Sequence, residues 1–170
     1  HGEVIFLRGK GDWTKPPRLA IGDLVRVRGV THPGEFAPSL AADTVEVVGR
    51  TALPPARPFQ AFEADATTND CDWVRLTGRI ESMQIFSKGK SPRIVFNVTF
   101  PHGSTSVQVP LTAGAEARAR ELMFQNVRFN AVAGTQFNVN RQIVGRIFFV
   151  GSMNAFELVD EDQPRQAAPF

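Results

Sequence analysis

The chain has 170 residues, of which 42% are hydrophobic and 21% charged, a composition ordinary for a globular protein. Its net charge of +2 comes without the concentrated basic stripe that is typical of nucleic-acid-binding proteins. The single cysteine, Cys71, excludes a disulfide within the chain and a zinc site built on cysteines. The sequence contains no apolar run of about 18 residues, so no helix of this chain is expected to cross a membrane.

The first 58 residues predict three short strands. Val25 and Val27 alternate with Arg26 and Arg28, a pattern typical of a half-buried strand. The three predicted strands are Gly2–Leu7, Leu24–Val30 and Thr44–Val48. A small barrel of the OB type needs five strands, so we expect residues 1–58 to form an incomplete barrel that ends in a proline-rich connector, 53–58. Such a barrel has an exposed strand edge, to be covered by further chain or by a neighbouring molecule.

Residues 59–160 predict a complete barrel. Three alternating strands are followed by a helix that Thr112 is expected to cap, and then by further strands. The predicted elements are strands at Trp73–Gln84, Arg93–Phe100 and Thr105–Leu111, a helix at Ala113–Phe124, and strands from Asn126, at Ile143–Val150 and at Ala155–Val159. This order is that of an OB-fold. Gly134 interrupts the alternation of its strand and is expected to mark a bulge or a sharp bend. The run Ile143–Val150, apolar on both faces, is expected to be buried on both sides. The tail, 161–170, reads as a linker.

Nothing in the sequence predicts catalysis. The three histidines, His1, His32 and His102, stand beside glycine or proline or at the terminus, where solvated histidines are common. No catalytic or phosphate-binding motif appears, and the carboxylates are scattered. We therefore predict no catalytic residue, no metal site and no cofactor.

Single-stranded nucleic acid is the alternative ligand, because OB-folds often bind it through a basic groove lined with exposed aromatic rings. The polar strand faces carry four arginines: Arg75, Arg79, Arg93 and Arg128. The aromatic side chains Phe96, Phe100 and Phe129 fall on the opposite face, which favours a core position. We interpret the arginine face as solvated or packed through its aliphatic stems, and nucleic acid as the less favoured partner.

Two loops are candidate ligand or interface sites. In the loop 31–38, Phe36 stands between prolines and a glycine, and it either plugs the end of the barrel or is an exposed contact point. In the segment 136–142, the side chains of Asn138, Asn140, Arg141 and Gln142 are rich in hydrogen-bonding groups. These four side chains either bind a polar or anionic ligand or satisfy the backbone of the loop.

Three stretches carry a family resemblance: 21–58 (IGDLVRVRGV…PPARP), 72–83 (DWVRLTGRIESM) and 134–162 (GTQFNVNRQIVGRIFFVGSMNAFELVDED). Together they resemble the tandem OB-like extracytoplasmic input region of bacterial transmembrane sensor histidine kinases.

This resemblance implies two barrels in tandem, in a periplasmic or extracytoplasmic part of a membrane-anchored protein. The function it implies is non-catalytic sensing of a small-molecule or protein signal. We also expect the chain to be part of a longer protein, since it begins without an initiator methionine. A homodimer through the exposed edge of the first barrel is a further expectation.

Overall fold

The computed structural model describes residues 5–9, 19–33, 39–59, 71–89, 91–101, 103–140 and 142–160. Most of these residues lie in strands, and there is one α-helix among them, which confirms the predicted all-β class. The chain divides into two compact units, one of His1–Pro55 with Asp70–Asp72 and the other of Ala56–Asn69 with Trp73–Phe170. The sequence had placed this division after Pro58. The predicted linker 161–170 lies outside the described residues.

The first unit contains a three-stranded sheet. Its strands are β1 (Phe6–Gly9), β2 (Asp23–His32) and β3 (Ser39–Arg50), arranged in the order β1–β3–β2. β1 runs parallel to β3, whereas β2 runs antiparallel to β3 with two irregularities of register. The predicted strands at Leu24–Val30 and Thr44–Val48 are confirmed, and both are longer than the alternation alone indicated.

One face of β2 and β3 is apolar and the other is charged. Val25 lies opposite Val47 and Val27 opposite Val45, while Arg26 lies opposite Glu46 and forms an ion pair with it at 3.4 Å. None of the four valines is fully buried, and Val47 is 47% exposed. The valines at these four positions are called the valine face below.

The described residues of the second unit form nine elements. They are β4 (Arg57–Pro58), β5 (Trp73–Phe86), β6 (Arg93–Phe100), β7 (Gly103–Pro110), α1 (Ala115–Glu121), β8 (Asn126–Phe137), β9 (Ile143–Phe149), a 3₁₀ helix (Met153–Ala155) and β10 (Glu157–Leu158). β5 pairs with β6, β6 with β7, β7 with β9, β9 with β8, and β8 returns to β5. The five long strands therefore close on themselves, with the helix between the third and the fourth. This is the OB topology that the order of elements predicted.

Gly78 lies where β5 changes partner. Up to Arg79 the strand pairs with β8, and from Arg79 onward it pairs with β6. A Cβ atom at Gly78 would stand 2.7 Å from the Thr99 carbonyl oxygen and 2.8 Å from the Phe100 ring. Only glycine allows β5 to pass this close to β6 at the point where it changes partner.

The barrel interior is a continuous hydrophobic core. Alternate residues of every long strand point inward, among them Val74, Ile94, Val107 and Val127, each at most 1% exposed. The ring of Phe96 meets that of Phe156 edge-on, with centroids 5.6 Å apart. Helix α1 contributes Ala115 and Ala119 to the core, and Leu122 follows directly after the helix. This burial of apolar surface is the main source of the second unit's stability.

Helix α1 is shorter than predicted. It spans Ala115–Glu121, and Gly114, with φ of +77°, precedes its first residue. The predicted side-chain cap at Thr112 is wrong, because Thr112 contributes only its carbonyl, which accepts from the Ala115 N–H at 3.0 Å. A glycine in the left-handed conformation begins the helix here instead.

The last two long strands depart in part from their predictions. β8 pairs in regular register with β9 at Gly134, so the predicted bulge is wrong at this residue, and the irregularity lies between Gln136 and Phe137. A Cβ atom at Gly134 would stand 2.7 Å from the Phe149 ring, so a larger residue would require this ring to move. β9 is buried on both faces in its centre, at Arg146, Ile147 and Phe148, while Val144 is 56% exposed. Burial on both sides is therefore confirmed for the centre of the run and wrong for its start.

Candidate ligand-binding surface

The loop that joins β8 to β9 is organised by one side chain, Asn138. Its Oδ1 accepts from the backbone N–H of Asn140 at 2.9 Å and from that of Gln142 at 3.0 Å. Its Nδ2 donates to the side-chain oxygen of Gln142 at 2.9 Å. The backbone N–H of Asn138 donates to the carbonyl of Gln142 at 3.0 Å. An asparagine that closes a turn with its own amide holds the loop in one conformation.

The organised loop presents apolar side chains to solvent. Val139, at its tip, is 98% exposed, and Ile143 and Val144 on the other side of the loop are 38% and 56% exposed. Val144 is the extra residue of a bulge, since Gln136 pairs with Gly145 and Phe137 with Ile143. Bulges of this kind redirect side chains at the rim of a barrel. Val139 and Val144 are therefore available for contact with a partner or ligand.

The outer face of β6 and β7 is polar and almost uncharged. Asn97 lies opposite Ser106, Val95 opposite Gln108, and Arg93 opposite Pro110. Arg93 is the only charged residue of the two strands. In OB-folds this face, with the loops that join the first strand to the second and the fourth to the fifth, forms the ligand-binding surface. In this barrel those loops are 87–92 and 138–142.

An aromatic residue with an arginine above it borders this face. Phe86 ends β5 opposite Arg93, and the guanidinium carbon lies 4.8 Å from the centroid of the ring. Phe86 remains 40% exposed. Arg93 also donates to the carbonyl of Ser91 at 3.3 Å, whereas its Nε is buried without a hydrogen-bond partner. The pair forms a flat cationic surface suited to a planar or carbohydrate ring.

Two of the other arginines on the strand faces have polar partners on the barrel surface. Arg75 donates to the Asn130 side chain at 3.1 Å across β5 and β8, and Arg79 forms an ion pair with Glu81 at 3.4 Å. Phe96 and Phe129 are buried in the core, as predicted, and Phe100 is half-buried.

Three of the five predicted site residues lie in the part of the chain that the structure describes. Asn138 and Gln142 lie together in the β8–β9 loop and hydrogen-bond each other, and Asn140 is exposed beside them. Phe36 and Arg141 lie outside the described residues. Asn138 hydrogen-bonds the backbone of its own loop, which is one of the two predicted roles. Binding of a ligand by these side chains stays a prediction.

Sequence reasoning missed two residues at this surface. Phe86 continues the alternation of β5 outward, and its position before a turn-rich segment could have indicated an exposed ring. Val139 stands between two asparagines, and an apolar residue inside a predicted polar turn is the signal that could have singled it out.

No protein-family model matches this chain, and no curated protein matches it either. In the ranges that the structure describes, no three His, Cys, Asp or Glu side chains stand close enough together to hold a metal ion. Within the same ranges, no helix is long and apolar enough to cross a membrane.

Proposed function

We propose that this chain is a non-catalytic ligand-binding region, and that it serves as the extracytoplasmic sensor region of a bacterial transmembrane histidine kinase. The observation that carries the binding role is the open outer face of β6 and β7. This face combines amide and hydroxyl groups with one charge, and the hydrogen-bonded β8–β9 loop is one of the two loops that flank this face in OB-folds. The sensor setting rests on the resemblance of the three sequence stretches described above.

The chemistry of this surface favours a small polar ligand or a protein segment as the signal. Asn97, Ser106 and Gln108 offer donors and acceptors for hydroxyl or amide groups. Val139, at the tip of the adjoining loop, offers an apolar contact. A signal of this kind acts only if it binds two states of the parent protein with different affinity.

The extracytoplasmic setting is tested on the full-length parent protein. Alkaline phosphatase, which is active only outside the cytoplasm, is fused after Asp160, and green fluorescent protein, which folds in the cytoplasm, is fused at the same residue in a second version. We expect phosphatase activity and no fluorescence. Fluorescence without phosphatase activity would place the fusion point in the cytoplasm and contradict the sensor proposal.

The binding role is tested separately by kinase output. Gln108→Ala with Val139→Asp alters the surface and leaves the core untouched, and we expect it to change autophosphorylation of the parent protein in membranes. Glu116→Gln, on the exposed side of α1, is the matched control and should leave autophosphorylation at the wild-type level. Equal output from all three proteins would contradict the assignment of the signal to this face.

A second candidate function, binding of single-stranded nucleic acid, is favoured by one observation, the exposed Phe86 ring beneath Arg93. Base stacking on such a ring tolerates any sequence and depends on salt through the accompanying charges. Fluorescence anisotropy with an oligothymidylate at low and at high salt tests it. Salt-sensitive binding that Phe86→Ala abolishes would support this function, and no binding at low salt would exclude it.

A further inference from the structure

The three strands of the first unit repeat an arrangement found inside the second. In the first unit, β1 is parallel to β3, with Phe6 opposite Ser39, and β2 is antiparallel to β3. In the second, β7 is parallel to β9, with Ser106 opposite Ile147, and β8 is antiparallel to β9. The chain order also agrees, because β1, β2 and β3 follow one another as β7, β8 and β9 do. The first unit therefore has the topology of the third, fourth and fifth strands of an OB barrel.

The correspondence identifies which strand edges are uncovered. In the second unit the remaining edge of β7 is covered by β6, and that of β8 by β5. In the first unit the equivalent edges belong to β1 and β2. Among the described residues no further strand pairs with either of them. These two edges are the ones that must be joined if the sheet is to close into a barrel.

The sheet also has a face suited to a barrel interior. The valine face consists of two successive same-face cross-strand pairs, Val25 with Val47 and Val27 with Val45, yet Val47 is 47% exposed. In the second unit the inward residues of β8, such as Val127 and Ala131, are fully buried. Of the described residues in the first unit, only Ser39, Ala42 and Cys71 are buried. A sheet with an apolar face and so few buried side chains is short of packing partners.

We propose that a two-stranded antiparallel hairpin, supplied by the same polypeptide on the N-terminal side of β1, completes the first unit as an OB barrel. Its first strand pairs antiparallel with β2 and its second strand pairs antiparallel with β1. Alternate apolar residues of both strands pack on the valine face. The connection to β1 is short, as between β6, which ends at Phe100, and β7, which begins at Gly103. This inference concerns the fold of the first unit and is independent of the proposed function.

Pairing of β2 with the β2 strand of a second copy would cover the β2 edge less favourably than the proposed hairpin. Two copies joined antiparallel through β2 would bring the exposed Arg26 and Arg28 of one copy close to those of the other. Like charges opposite one another across a strand pair are destabilising. A hairpin with neutral or acidic outward residues meets no such repulsion.

Hydrogen exchange tests the proposal on two proteins, the 170-residue chain and a version extended at its N-terminus by the sequence that precedes His1 in the gene. In the 170-residue chain we expect about every second amide of β2 to exchange fast, because those N–H groups point away from β3. In the extended chain we expect these amides and those of β1 to become protected in a monomer. An extended chain whose β2 edge still exchanges fast would overturn the proposal.

A pair of variants locates the packing surface. Val47→Asp places a carboxylate on the valine face and should abolish the added protection in the extended chain, while changing exchange in the 170-residue chain little. Glu46→Gln, one residue away on the charged face, is the matched control and should keep the added protection. If the β2 edge of the 170-residue chain is instead protected in a concentration-dependent dimer, a second copy is the occupant and the proposed hairpin is wrong.

Discussion

Asn138 illustrates how a single side chain sets the geometry of a candidate site. Its amide group makes three hydrogen bonds, two of them to backbone N–H groups of its own loop. These bonds replace the strand pairing that stops where β8 and β9 diverge. Val139 can therefore be presented at the loop tip almost fully exposed, in a position that a mobile loop would not maintain.

Replacement of Asn138 by alanine should loosen this loop. We expect a loss of about 1 kcal/mol in unfolding free energy, because the bonds are exposed to competing water. The amides of Asn140 and Gln142 should exchange faster with solvent. Urea unfolding and hydrogen exchange measure the two effects. Asn140→Ala is the matched control, because only the backbone N–H of Asn140 takes part in these bonds, and equal behaviour of the two variants would contradict the assigned role of Asn138.

Asp23 makes the stability of the first unit depend on pH. The backbone N–H of Ala20 donates to its carboxylate at 2.7 Å and Arg50 donates at 3.1 Å, and together they lower the pKa of Asp23. A lowered pKa in the folded state contributes stability that is fully present above about pH 4, near the pKa of an unfolded aspartate. This contribution is lost as the pH falls through the pKa of the folded state.

The variant Asp23→Asn removes this titration. We expect the wild-type protein to exceed the variant in unfolding free energy at neutral pH, and the difference to shrink as the pH falls below about 4. Urea unfolding at a series of pH values, followed by the amide signals of β2, measures the difference. A difference that stays constant throughout the acid range would show that Asp23 does not act through its charge.

At the scale of elements, local sequence patterns predict where the strands lie. The close approach of distant chain segments explains where glycine is needed within them. The alternation of apolar residues predicted β2, β5, β6 and β7 to within a few residues, because alternate side chains of a strand face opposite sides. Gly78 and Gly134 look alike in sequence, since each interrupts an alternating strand. The structure gives them one common reason, the close approach of another chain segment, and Gly78 lies where β5 changes its pairing partner from β8 to β6.

Because β5 approaches β6 closely at Gly78, we expect alanine to cost more stability at Gly78 than at Gly145. Gly78→Ala should lower the unfolding free energy by about 1–3 kcal/mol, because the added methyl group meets the Thr99 carbonyl and the Phe100 ring. Gly145→Ala, in β9, meets nothing within 4 Å and should change stability by less than about 1 kcal/mol. Thermal unfolding of the two variants checks the contrast. Equal losses would mean that β5 does not approach β6 as closely as described.

At the scale of the molecule, the two units differ in how much apolar surface they bury. The hydrophobic core of the second unit is continuous from Val74 to Phe156, whereas the described part of the first buries little beyond Ala42 and Cys71. Folding free energy comes chiefly from such burial. The second unit is therefore expected to be the more stable of the two and to tolerate surface change better.

Removal of one core ring should reveal this difference. Phe96→Ala deletes a ring that is fully buried against Phe156 and should cost the second unit about 3–5 kcal/mol. Val47→Ala deletes a side chain that is 47% exposed and should cost the first unit less than about 1 kcal/mol. Denaturant-dependent hydrogen exchange, read separately for β2 and β6, gives both values. A large loss at Val47 would contradict the exposure of the valine face.

The sequence by itself determined the all-β class, the positions of most strands and the loop that carries Asn138, because alternation and turn residues are local properties of the chain. Only the tertiary structure decided which strands pair, since barrel closure joins β5 to β8 across residues far apart in sequence. It also decided that Ile143 and Val144 stay exposed and that Phe86 borders an open face. Exposure depends on what the rest of the fold brings alongside a residue, so a local pattern can suggest it but does not determine it.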